Sequence, residues 1–215
     1  MNLEWSILFD RLPLLLEGAL VTLEITAVSL FFGSILGFFV AIFRVGRIPI
    51  LAPIARIYVT ALRGTPLLVQ LFLIYFGLPS IGIDLAPWPS AVIGLGLNTG
   101  AYVSEIVRAS ILSISQSQWE AGMMDSSYAA TLAFIIMPQS LKRMIPPITN
   151  QFIITLKNSS LVSLLTIEEL FRRGEQIIYS TFRAFEIYLG VAAIYLIMTT
   201  ILGALTEYLE NRLAV

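Results

Sequence analysis

Four stretches of this chain run about twenty residues without a charge: Ile25–Phe43, Gly64–Ile83, Leu85–Ser104 and Ile187–Thr206. A fifth, Met144–Ile167, is interrupted by Lys157 alone. The hydrocarbon core of a bilayer is about 30 Å thick, so a helix rising about 1.5 Å per residue needs roughly 20 apolar residues to cross it. The pattern predicts an all-α integral membrane protein with about five transmembrane helices. Only 13% of residues are charged, about half the usual share for a soluble domain, which agrees with that class.

Charge placement predicts orientation. With the N-terminus outside, the inner flanks carry Arg44, Arg47, Arg56, Arg108, Lys142, Arg143 and Arg212, and the outer flanks carry Arg11, Arg172, Arg173 and Arg183. That excess favours an N-out, C-in arrangement. The first residues, MNLEWSILFDRLPLLLEGALVTLE, place four carboxylates where a cleavable signal needs a basic start and an apolar core. They read instead as an interfacial helix with Leu3, Trp5 and Leu8 in the headgroup zone. Residues 1–215 read as one transmembrane domain.

Two polar segments remain. Glu168–Ala184 is expected outside, between the fourth and fifth spans, and partly helical. Ser113–Ala133 is expected inside, between the third and fourth spans. The inner segment is far longer than a connector between adjacent helices needs to be. Its small residues, around Glu120, Ala121 and Gly122 and along Asp125–Ala130, permit close approach by another surface. It is either a solvated connector or a short helix that docks into a cytoplasmic partner.

Polar groups at membrane depth are costly and mark candidate sites. Asn98, Tyr102 and Glu105 share one face of a helix, extended by Gly94 and Ala109. Either they glue helices together or they face a ligand. Arg63 and Gln70 share a face if their helix is continuous, but Gly64, Thr65 and Pro66 between them suit a kink. Lys157, followed by Asn158, Ser159 and Ser160, either snorkels, pairs with Glu105 or faces an aqueous pathway. With no histidine and no cysteine, the usual metal clusters and nucleophile–base pairs are missing. The lysines, in LKR and LKN, do not belong to a Walker phosphate loop. No metal site and no enzyme activity are expected, and a net charge of −1 gives no reason to expect nucleic acid.

The tract WEAG…IIMPQSLKRMIPPITNQFIITLKNSSLVSLLTIEEL resembles the permease subunits of bacterial ATP-binding-cassette importers for polar amino acids, of the histidine, arginine and glutamine type. Such permeases carry a Glu-Ala-Ala loop that continues through a glycine to Ile-x-Leu-Pro. Glu120 and Ala121 match its start, and Ile135, Met137 and Pro138 match its end. Gly122 stands where alanine is usual, Asp125 or Ser126 falls where the internal glycine belongs, and the spacing is one residue short. The tracts LEGALVTLEITAVSLFFGSILG, YVTALRGTPLLVQLFLIYFGLP and NTGAYVSEIVRASILSI resemble the same family in the same order, so the likeness covers nearly the whole chain.

The resemblance implies a type I importer fold in the bacterial inner membrane. It implies half of a translocation pathway, completed by a second copy or a homologous permease. It also implies a cytoplasmic ATPase dimer, which binds ATP and Mg and docks through Ser115–Ala130, and an extracytoplasmic substrate-binding protein. The docking residues would be Glu120, Ala121, Gly122, Asp125 and Ser126. The substrate, a polar amino acid, would meet residues among Arg63, Gly64, Thr65, Gln70, Asn98, Tyr102, Glu105, Lys157, Asn158, Ser159 and Ser160. No cofactor is expected in this chain, and lipid surrounds it. The competing reading is a small secondary transporter or channel subunit that uses Glu105 and Lys157 as ion-coupling groups.

Overall fold

The computed structural model describes residues 4–46 and 48–213. Leu3 and Arg47 lie outside the described residues, as does the side chain of Arg212. Every regular element among the described residues is a helix. The first, α1, runs without a break from Trp5 to Val45. The expected interfacial helix and first span are therefore one helix of 41 residues, which at about 1.5 Å per residue is roughly twice the thickness of the hydrocarbon core.

The expected second span, Gly64–Ile83, opens on a break, and a separate helix precedes it. Helix α2 (Leu51–Gly64) ends at extended Thr65, and α3 (Leu67–Phe72) restarts after Pro66, continuing through a π turn and a short 3-10 turn to Ile81. The two parts are bent by 109°. Proline explains the break: it disfavours helical geometry in the residue before it and donates no backbone hydrogen bond.

Helix α4 (Pro87–Leu112) packs against α1, α2, α3 and α7, which makes it the central helix. Its closest seam is with α1. A Cβ on Gly33 would lie 2.7 Å from the Gly96 carbonyl oxygen, and one on Gly37 would lie 2.6 Å from that of Gly100. Each helix thus contributes two glycines four residues apart, and the backbones meet where side chains would hold them off.

Within the polar segment Ser113–Ala133, α5 (Gln116–Asp125) and α6 (Tyr128–Thr131) lead through a π turn into α7 (Met137–Asn158). A 3-10 stretch, Ser159–Leu165, ends α7 in place of further α-helix. Helix α8 (Leu170–Thr181) fills most of the polar segment Glu168–Ala184, and α9 (Ala184–Leu213) follows it. Glu169, fully buried, starts α8. Its carboxylate accepts the N–H groups of Phe171 and Arg172 at 3.0 and 2.8 Å, and the hydroxyls of Thr22 and Tyr195 at 3.3 and 3.0 Å. A side-chain cap therefore also joins α8 to α1 and α9.

On length and composition, α1 and α9 (over Ala184–Tyr208) are apolar enough to cross a membrane, and the bent α2–α3 pair makes a third if it is one span. Both α1 and α9 expose large apolar side chains, among them Phe31, Phe32 and Phe39 on α1 and Leu196, Ile197 and Ile201 on α9. An exterior of this kind suits hydrocarbon better than water.

Candidate functional site

The break between α2 and α3 sets the local chemistry. A helix end leaves its last carbonyls without intrahelical partners. Here Thr65 donates its hydroxyl to the Ala61 carbonyl at 2.8 Å. The Gln70 amide donates to the Leu62 and Thr65 carbonyls at 2.8 and 3.0 Å and to the Thr65 hydroxyl at 2.8 Å. Asn98, from α4, donates to Gln70 Oε1 at 3.0 Å and to the Leu62 carbonyl at 3.4 Å. Arg63 and Gln70 do not share a face of one continuous helix. Instead Gln70 reaches back across the bend and caps the end of α2. Tyr58 adds a further tie, its hydroxyl donating to the Leu97 carbonyl at 2.6 Å.

One turn along α4 the same face becomes charged and more open. The Arg63 guanidinium lies 5.2 Å from the centre of the Tyr102 ring, a cation–π distance. Glu105 accepts from Arg44 at 2.7 Å and from Arg108 Nε at 2.8 Å, with Arg63 at 3.8 Å. One carboxylate thus serves three guanidiniums from α1, α2 and α4. The side chains of Arg63 and Glu105 remain 42% and 23% exposed, and Tyr102 is also exposed, whereas Asn98 and Gln70 are buried. Arg44 and Arg108 were legible only as flanking charges; the i, i+3 spacing of Glu105 and Arg108 was the one local signal of a pair.

Lys157 does not join this group. It lines a separate cleft of about 350 Å³ with Ser160, Phe171, Tyr188 and Tyr195, and none of the ion pairs among the described residues involves it. Ser159 is buried and bonds the Leu156 carbonyl at 2.7 Å, and Ser160 bonds the Lys157 carbonyl at 2.8 Å. Asn158 is half-buried where α7 ends, and Gly64 is exposed at the end of α2. The helices that carry the two groups are joined nearby: Thr99 of α4 and Thr155 of α7 share a hydrogen bond of 3.1 Å, and Gln151 donates to Thr155 at 3.4 Å.

The α5–α6 segment presents a distinct surface. Glu120, Ala121, Asp125 and Ser126 are exposed, with Glu120 accepting from Gln116 at 2.9 Å. Met124 is 84% exposed on the same helix, an apolar residue that the polar reading of this segment passed over. Gly122 points the other way and is buried. A Cβ there would lie 2.5 Å from Thr131 Cγ2 and 2.8 Å from Ile135 Cδ1, so the departure from alanine at this position has a packing cause. Trp119 stacks on Tyr128 with ring centres 5.2 Å apart. Together these contacts fasten α5 to α6 and to the turn that starts α7.

Residues 33–215 match the family described as binding-protein-dependent transport system inner membrane component. The glutamine transport system permease protein GlnP of Escherichia coli (strain K12) is 38% identical over 218 residues, covering 100% of both chains. The L-cystine transport system permease protein TcyB of Bacillus subtilis (strain 168) is 41% identical over 94% of this chain and 87% of its own. A crystal structure of an amino acid ABC transporter with histidines superposes with a TM-score of 0.94 at 35% identity, covering 99% of this chain and 100% of that one. The methionine transporter MetNI, at 20% identity and a TM-score of 0.78 over 95% of this chain and 98% of its own, shares the fold. The secondary-transporter or channel reading has no support: Glu105 is held by arginines and Lys157 lies in another cleft. By sequence and by structure, the chain belongs to the binding-protein-dependent transport system inner membrane components.

Proposed function

We propose that this permease subunit of an amino acid ABC importer passes a polar amino acid along the α2–α4–α7 face and is driven by a separate ATPase that docks on α5. The likeness to the glutamine permease over the full length of both chains carries the reading. ATP and Mg belong to the ATPase dimer. A second permease, identical or homologous, completes the pathway, and an extracytoplasmic binding protein delivers the substrate. Five spans with the N-terminus outside put α5 in the cytoplasm, and the whole chain acts as one membrane domain.

The packing of α5 suits a transmitting element. Because Gly122 sits hard against Thr131 and Ile135, a push on Glu120, Met124 and Asp125 moves α6 and the head of α7 as well. Helix α7 meets α4 at Thr155 and Thr99, next to the broken helix. The substrate meets the open edge of the polar face, Arg63, Tyr102 and Glu105, while Asn98, Gln70 and Thr65 hold the bend behind it. Lys157 offers an ammonium group to a carboxylate in the adjoining cleft, while the Ser160 hydroxyl is held by the Lys157 carbonyl. A zwitterion leaving water needs such fixed groups in place of its hydration.

The test is co-purification of the permease with an ABC ATPase from the same cells, followed by measurement of ATP hydrolysis with and without binding protein and amino acids. The expected result is a stable complex whose hydrolysis rises with loaded binding protein. A permease that binds no ATPase contradicts it.

A further inference from the structure

The turn between α8 and α9 carries an unusual residue. Phe182 ends α8 in the left-handed region (φ 58°, ψ 24°), its N–H donating to the Ile178 carbonyl at 2.8 Å. Glycine is the usual occupant of this cap position, because a side chain there is strained. The ring is 88% exposed, so packing against the described residues does little to offset that strain. Tyr179 on the last turns of α8, Phe185 at the start of α9, and Trp5 and Phe9 at the start of α1 are exposed as well, and Trp5 meets Phe185 edge-on at 6.5 Å.

The turn is also held in place. Arg183 bridges Glu4 at 2.9 Å, and the Glu4 N–H donates to Glu186 at 3.1 Å, so the start of α1 and the start of α9 are tied at one level. The apolar span of α9 begins at Ala184, which puts Phe182 and Phe185 where hydrocarbon gives way to headgroups. Trp and Tyr collect at that depth, and segments that lie in the interface bury Trp, Phe and Leu into it.

We propose that Phe182, with Phe185, Tyr179 and Trp5, is an interfacial anchor whose partner is the phospholipid headgroup zone of the outer leaflet. Insertion of the ring compensates the strained cap and fixes the depth of the α8–α9 corner. The proposal rests on the reading of α9 as a span.

The chain contains no cysteine, so single reporters are placed without background from it. Phe182→Cys and, separately, Phe185→Cys are labelled with an environment-sensitive fluorophore in the permease–ATPase complex in lipid nanodiscs. Ile197→Cys, in the middle of the α9 span, is the control. Phospholipid spin-labelled near the headgroup removes most of the signal at 182 and 185, aqueous iodide removes little, and loaded binding protein changes neither result. At 197 only a spin label deep in the acyl chain quenches. Iodide quenching at 182 that the binding protein blocks makes the corner a protein-docking site and overturns the proposal. Protection from every quencher means that a second permease copy covers it, which also overturns it. Loss of lipid quenching at 197 as well shows that the span reading has failed; loss at 182 and 185 alone shows that only the anchor has.

Discussion

The Asn98 amide donates to Gln70 Oε1 at 3.0 Å, joining the central helix to the far side of a bend of 109°. Gln70 in turn caps the Leu62 carbonyl at 2.8 Å, so one chain of side-chain amides occupies the groups that a broken helix leaves open. Membranes tolerate a helix break only where it is buried in protein or lines a cavity, and the small cavity of about 190 Å³ bordered by Leu62, Gln70, Leu73 and Leu97 lies at this point.

Asn98→Ala and Gln70→Ala each strand a buried polar group, at a cost of about 1–3 kcal/mol. Because the two residues act on the same carbonyl, the double variant loses less than the sum of the single losses. Thermal unfolding of the purified complex reads this directly. Additive losses mean that the two amides are independent and the cap is not a unit.

Glu105→Gln leaves Arg44, Arg63 and Arg108 without their shared anion. Uptake falls sharply although insertion and ATPase binding persist, and Glu105→Asp recovers part of the rate. Full uptake by Glu105→Gln shows that the cluster is dispensable.

Gly122→Ala restores the residue usual in this loop and is nevertheless harmful here, because the new methyl meets Thr131 Cγ2 at 2.5 Å. ATPase binding survives, hydrolysis and uptake lose their coupling, and Thr131→Ser, which removes that methyl, restores much of it. Glu120→Arg instead weakens ATPase binding itself. A pull-down and a coupled uptake assay on the same samples separate the two effects. Normal coupling in Gly122→Ala contradicts the transmitting role of α5.

Helical class and family were readable from the chain, because uncharged runs and ordered motifs are local. The polar residues were also found locally, but their partners were not. That Gln70 turns back to Leu62 depends on the bend at Pro66, which an assumption of continuous helix hides. That Glu105 meets Arg44 depends on the glycine seam between α1 and α4, which brings residues sixty-one apart in sequence to 2.7 Å. Gly122 looked like a departure from a motif; only the position of Thr131 shows why no side chain fits.

Orientation is tested by tags. A tag after Val215 is cytoplasmic, and one in the loop at residues 80–86 is reachable from outside intact cells. An external C-terminus puts α5 on the wrong side for an ATPase.

If this chain forms an amino acid pathway powered from α5, uptake into sealed vesicles requires ATP. Permease and ATPase are reconstituted in liposomes, with binding protein and a panel of labelled polar amino acids on the side opposite the ATPase. Accumulation of at least one amino acid, dependent on ATP and on binding protein and abolished by Glu120→Arg, is the predicted result. Uptake that persists without ATP, or that Glu120→Arg leaves intact, contradicts the account.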